Sequence, residues 1–177
     1  MTVRGNGTAA FSATFTADLA AFSEYVRRQR WGTMLIHTVN FGDIEVPEDK
    51  VINFKEGLPG FPQVHRFAVI ELEDWKPFHH LQALDNIPIA LLIINPFQVH
   101  PGYGFKLSRV DMEDIRCTNP DHVTVYAVAT IPDNPAEATI NLMAPIVINE
   151  ESRCGKQVIL HESGYSVKHP LFKPNQP

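Results

Sequence analysis

From Met34 onward, apolar and polar side chains alternate in short runs. Leu35, His37, Val39 and Phe41 alternate with Ile36, Thr38 and Asn40, the period of two that an extended chain requires. Gly42-Asp43 predicts a turn, and Ile44-Glu45-Val46 then runs to Pro47-Glu48-Asp49. Val51-Ile52-Asn53-Phe54 is a further short run. It is closed by Gly57-Leu58-Pro59-Gly60-Phe61-Pro62, whose glycines and prolines exclude a regular element. Phe67–Leu72, Leu81–Leu84 and Ile89–Ile94 predict three more strands. The last is apolar on both faces, which predicts a central strand covered on both sides. Asn95-Pro96-Phe97 stops it abruptly. Asp111–Ile115 carries its acidic residues where a helix N-terminus favours them, which predicts one short helix.

Val123–Ile131 is the longest β-rich run, broken by Pro132-Asp133-Asn134-Pro135. Ala136–Ala138 has room for one helical turn at most. Thr139–Ala144 and Pro145–Asn149 predict strands interrupted at Pro145. That residue marks a bulge, a bend or an edge, because proline cannot donate to a ladder. Ser152–Gly155 reads as a turn leading into Gln157–Leu160. Some nine or ten short strands, with turn signals about every ten residues, predict an all-β sandwich or barrel. The fold class expected is therefore mainly β: one small barrel-like domain of short antiparallel strands with one or two short helices.

The first 33 residues differ from the rest. All 14 prolines lie at or after Pro47. Arg4, Arg27, Arg28 and Arg30 stand against Asp18 and Glu24, so residues 1–33 carry +2 within a chain of net charge −5. Residues 34–177 then hold 11 basic and 18 acidic side chains, a net −7. Leu19, Phe22, Tyr25 and Val26 recur at helical spacing before the arginines, so residues 18–30 fit a short amphipathic helix. Three readings of this extension stand side by side. It is a transit-like segment, a peripheral helix docked on the domain or a membrane surface, or an untemplated extension, either disordered or the result of a start codon assigned too early. The division expected is 1–33 as extension, 34–171 as the β domain and 172–177 as a tail.

Composition narrows the function classes. The acidity of residues 34–177 argues against direct nucleic-acid binding, which needs lysine and arginine to neutralise phosphate. No stretch approaches the roughly 18 unbroken apolar residues of a membrane-spanning helix. Cys117 and Cys154 are too few for a disulfide framework or a zinc site of their own, and a reducing cytoplasm is the expected compartment. The chain has neither a glycine-rich phosphate loop nor a nucleophile elbow. Eight histidines are the main enzyme lead. A barrel could gather some of them as a metal-dependent enzyme does, but His79 and His80 are adjacent and point to opposite faces of a strand. Carboxylates cluster as Glu71-Glu73-Asp74, Asp111-Glu113-Asp114 and Glu150-Glu151, and these read as solvated faces and helix-start charges. More unusual are the loops at Gly57–Phe61, Asn95–Phe97 and His169–Phe172, which hold large apolar side chains. Such side chains either fold onto the core or stand out as anchors for a partner.

These motifs, taken in order, resemble one family. Phe41-Gly42-Asp43-Ile44-Glu45-Val46 is followed by Phe54-Lys55-Glu56-Gly57-Leu58-Pro59-Gly60-Phe61, then Asn95-Pro96-Phe97 and Thr130-Ile131-Pro132. Ala138 to Asn149, Gly155-Lys156-Gln157-Val158-Ile159-Leu160 and Tyr165 to Leu171 complete the series. Over residues 34–171 the chain resembles FliW, the bacterial flagellar assembly factors. The leading 33 residues have no counterpart in that pattern.

The resemblance implies a binding protein of the cytoplasm rather than an enzyme, with no cofactor and monomeric when alone. It implies two partners: flagellin, held before export, and the CsrA dimer, an RNA-binding translational repressor. FliW freed of flagellin would bind CsrA and antagonise it non-competitively, away from the RNA groove. Phe61 and Phe97 are then candidate apolar anchors. Asn141, Asn149 and Glu150, at the ends of the most family-like strands, are candidate CsrA contacts. The opposing expectation is a metal-dependent β-barrel enzyme that uses clustered histidines.

Overall fold

A computed structural model of the chain describes residues 32–38, 41–85 and 88–172. The expectations for the extension, its helix, Val39-Asn40 and the end of the tail fall outside them. Among the described residues eleven strands form two sheets. β1 (Thr33–Thr38) and β2 (Gly42–Pro47) make a separate antiparallel hairpin. The larger sheet is built from β3 (Ile52–Phe54), β4 (Arg66–Glu71), β5 (Phe78–Ala83), β6 (Ala90–Ile94), β7 (Val123–Thr130), β8 (Thr139–Ile140), β9 (Ile146–Asn149), β10 (Cys154–Gln157) and β11 (His169–Pro170). Two short helices, α1 (Pro96–Val99) and α2 (Arg109–Asp114), lie between β6 and β7.

Seven of these strands close into a barrel. The order runs β7-β6-β5-β4-β3-β10-β9, and β9 returns to pair with β7. Closure leaves no free edge within the ring. All ladders are antiparallel except β3 with β10, where Cys154 pairs with Asn53 and Gly155 with Phe54. Side by side with β9, β8 uses the same edge of β7, and β11 adds to β8.

The expected interruption at Pro145 is visible as a change of register. Ile140 faces Ala129 and Ile146 faces Tyr126, so six steps on one strand span three on the other. The surplus forms a bend over 141–145. Asn141 stabilises it by accepting the Ala144 N–H on Oδ1 at 2.9 Å. Without an N–H, Pro145 still uses its carbonyl, which accepts from Val158 at 2.9 Å.

Both faces of the barrel wall are covered, and neighbouring residues feed different cores. Ile93, Tyr126, Ile146 and Ile148 point inward to a cluster with Phe54, Phe67 and Leu81. Ile94, Ala127 and Val147 point outward, beneath Tyr103, Ile115, Val158 and Leu160. This is why Ile89–Ile94 reads as apolar throughout. A third, smaller cluster lies under the hairpin, where Val46, Ile36 and Ile44 meet Ala68, Ile70 and Leu84 on the outside of β4 and β5. Leu35, by contrast, is exposed.

The expected strand Gln157–Leu160 is displaced: the ladder runs over Cys154–Gln157. Gly155 reads as a turn residue, yet it sits inside the strand because the Phe54 ring crosses it. A Cβ at this position would lie 2.6 Å from Phe54 Cζ. At Gly57 two constraints coincide: φ is +65° and a Cβ would lie 2.5 Å from the Phe61 carbonyl oxygen. The loop therefore folds back, with Leu58 buried and Phe61 half-buried against the inner core.

Candidate partner-binding site

The segment between β6 and β7 builds an apolar groove on the outside of the barrel. Asn95 caps α1 by accepting the Phe97 N–H at 3.0 Å, which turns the chain and leaves Phe97 exposed. The chain then passes over the outer core as Phe105-Lys106-Leu107. Ser108 opens α2 with a capping box: its Oγ accepts the Asp111 N–H at 3.1 Å, and Asp111 Oδ2 accepts the Ser108 N–H at 3.2 Å. Phe97, Phe105, Leu107, Met112, Val123 and Val125 line a groove of about 560 Å³.

Helix α2 is pinned to the barrel by charge. Lys156 Nζ donates to Asp111 Oδ1 at 2.7 Å and Asp114 Oδ2 at 2.9 Å, and Lys55 Nζ donates to Asp114 Oδ1 at 2.9 Å. Burial works against the Lys156 ammonium, but bonding to the two carboxylates outweighs it and raises its pKa. Burial likewise opposes ionisation of Asp111, and the hydrogen bonds from Lys156 and Ser108 overcome it, so its pKa falls below the ordinary value. Asp114 is lowered by its hydrogen bonds from Lys55 and then Lys156.

At its Pro120–Val123 end the groove adjoins a charged corner. The Glu150 N–H donates to the His122 carbonyl at 2.9 Å, which ties the β9–β10 turn to the start of β7. Glu150 pairs with Arg153 at 2.6 Å, and Glu151 with His122 at 2.8 Å. Glu150 and Glu151 are exposed. Beneath them Asn149 is buried and fully bonded. Its Nδ2 donates to the carbonyls of Ile115 at 3.1 Å and Arg116 at 3.0 Å, and its Oδ1 accepts the Glu151 N–H at 3.1 Å. No polar atom of that side chain is left for a partner. It holds the turn that presents Glu150.

Of the five candidate residues, Phe97, Asn149 and Glu150 thus belong to one continuous region. Phe61 packs on the inner core and Asn141 caps the bend after β8, both elsewhere. Sequence reasoning missed the groove floor and the role of Lys156. Phe105-Lys106-Leu107 carries a signal, an apolar–polar alternation outside any strand, but nothing in the order of residues shows that it crosses the outer face of the barrel.

The histidines do not gather. His79 meets Tyr126 within the barrel, while His80 lies under Phe41 and Trp75 on the other side of β5. His100 and His169 have ring centroids 5.1 Å apart. Among the described residues, no group of three His, Cys, Asp or Glu side chains is placed to hold a metal ion. The geometry needed by a histidine-based metalloenzyme is missing there. Cys117 and Cys154 are free and half-buried, both packed against the outer core.

These features define a class: a small closed β-barrel that carries a helix-flanked apolar groove and a charged corner on its outer face. The family model described as FliW protein matches residues 35–171, so the chain belongs to the FliW family of flagellar assembly factors. It is 40% identical to the flagellar assembly factor FliW of Thermoanaerobacter pseudethanolicus, over 79% of this chain and 94% of the relative. To that of Geobacillus kaustophilus it is 39% identical, over 78% of this chain and 96% of the relative. A crystal structure of the flagellar assembly factor FliW superposes with a TM-score of 0.75 at 36% identity, covering 82% of this chain and 100% of that one. The mainly β, barrel-like expectation agrees with it. Among the described residues no helix is long and apolar enough to cross a membrane.

Proposed function

We propose that this protein is a non-enzymatic binding factor of the cytoplasm that holds flagellin and, when free of it, binds the CsrA dimer. In that second state it relieves repression of flagellin mRNA without entering the RNA groove of CsrA. The working unit is the body, residues 34–171. The reading is carried by one observation beyond family membership: an exposed apolar groove runs into a charged corner, where Glu150 and Glu151 stand exposed, on the same face. An aggregation-prone amphipathic segment of flagellin needs an apolar groove with a polar rim. A basic RNA-binding dimer gains association rate from the net −7 of residues 34–177, which also repels RNA phosphate.

Within this reading Phe97 is the apolar anchor and Glu150 a charged contact, with Asn149 positioning the latter. Pull-downs and titrations with flagellin and with CsrA test it. Phe97→Ala should weaken one partner about tenfold, a loss of about 1.4 kcal/mol. Glu150→Lys should weaken CsrA and reduce the salt dependence of its binding. Unchanged binding of both partners by both variants would remove this assignment.

A further inference from the structure

Among the described residues, His80 is the only buried histidine, lysine, arginine or acid, at 6% exposure. Two aromatic rings meet its ring in T-shaped contacts. Phe41, where the β1–β2 hairpin turns, lies 4.8 Å from it between centroids at 75°, and Trp75 lies 5.2 Å away at 74°. The Nδ1 atom is buried without a hydrogen-bond partner. A neutral imidazole tolerates this by keeping that nitrogen unprotonated, whereas an imidazolium must carry a proton on both nitrogens.

The element above it is attached by side chains. Among the described residues the β1–β2 hairpin forms its own two-stranded sheet, with no ladder to the barrel. It is held by Ile36, Ile44 and Val46 against Ala68, Ile70 and Leu84. Two-stranded hairpins are marginal alone, so this one depends on its apolar contact. Among the described residues no hydrogen bond joins it to the barrel, so it can also lift without breaking one.

We propose that His80 is a proton-sensitive latch for the β1–β2 hairpin. While neutral it completes the packing under Phe41 and Trp75. Once protonated it exposes an unpaired N–H and a charge to an apolar site, and the hairpin opens to let water reach it. The charged groups on the surrounding elements do not compensate. His79 is next to it on β5, Glu71 faces His79 from β4, and Leu92 faces His80 from β6. Glu73, Asp74 and Lys76 flank Trp75, and Lys76 is paired with Glu73. On the hairpin, His37 pairs with Asp43 at the exposed side, and Glu45 is exposed. None of these hydrogen-bonds Nδ1. Burial, and then the charge of His79, lowers the pKa of His80 below its ordinary 6.5. A group lowered in this way leaves the closed form fully stable above 6.5 and weakens it as pH falls through that value toward the lowered pKa.

The test uses the full chain with Trp31→Phe, so that Trp75 is the single indole. Its emission and the amide exchange of Ile44 and Val46 are followed from about pH 8 to about pH 5. The expected result is a transition with a midpoint below 6.5. Below 6.5 the open population should grow by up to about tenfold per pH unit while Ile93 and Val147 stay protected. His80→Gln should abolish the transition, and His79→Gln should move it upward by removing a like charge. Imidazole NMR of the unmodified chain is the second readout, and it decides alone if His80→Gln does not fold. A His80 titration at or above 6.5, which would mean that the aromatic faces hold the imidazolium, overturns the latch. So does unchanged hairpin exchange, or a transition that survives in His80→Gln.

Discussion

Replacing Asn149 with alanine separates a structural role from a contact role. The side chain is 2% exposed and bridges two segments distant in sequence. It donates at 3.1 and 3.0 Å to the carbonyls of Ile115 and Arg116, and accepts at 3.1 Å from Glu151. A longer contact of 3.5 Å joins it to the Ser152 N–H. The Ile115 carbonyl would keep a partner, since Ser152 Oγ donates to it at 2.8 Å. The Arg116 carbonyl would lose its bond, at a residue already held at φ 52°. Leaving that group unpaired costs about 1–3 kcal/mol, and giving the Glu151 and Ser152 N–H groups to water costs about 0.5–1 kcal/mol more. The expected loss is therefore about 1.5–4 kcal/mol, or a fall in Tm of roughly 3–16 °C for a chain of this size. Urea unfolding measures it as a lower midpoint at unchanged slope. Asn149→Asp keeps the acceptor but turns a carboxylate oxygen toward two carbonyls, so it should be at least as damaging at neutral pH and recover partly on acidification. A loss below about 0.5 kcal/mol in both variants would refute the bonding argument. Lost CsrA binding in a variant of undiminished stability would restore Asn149 as a contact.

Two further predictions concern the barrel. Gly155→Ala should cost about 1–3 kcal/mol in urea unfolding, because its methyl meets the Phe54 ring at 2.6 Å. Gly155→Ala with Phe54→Leu should then cost less than the two single losses together. Lys156→Met should cost about 1.5–3 kcal/mol at neutral pH by leaving Asp111 and Asp114 without their shared ammonium. Both carboxyls are held below 3.8, so the stability they add is present above that value and is lost as pH falls through the lowered pKa. In Lys156→Met the slope of stability against pH between about 5 and 2 should flatten, as read by thermal unfolding across that range.

Much of the fold is legible from residue order alone, for local reasons. Period-two alternation marks β1 and β2, and Pro47 marks the end of β2, because strand geometry and the missing N–H act within a few residues. The bend at Pro145 follows from the same rule and is found as a register change. Gly57 announces its turn for an equally local reason, since only glycine fits there. Family membership too is carried by motifs in their order.

Other features depend on what lies across space. Gly155 reads as a turn until the Phe54 ring is placed over it. Asn149 has the polar, strand-end character of a surface contact, yet Ile115 and Arg116 bury and saturate it. Leu35 is apolar yet exposed, whereas His80 is polar yet buried, because the hairpin packs through the other side of β1 and over the outside of β5. Closure of the ring, the parallel β3–β10 pair and the meeting of the groove with the charged corner all join residues far apart in the chain. Side-chain identity sets what each short segment prefers. Which segments meet, and hence which polar groups are buried, bonded or left to a partner, is settled by packing over the whole barrel.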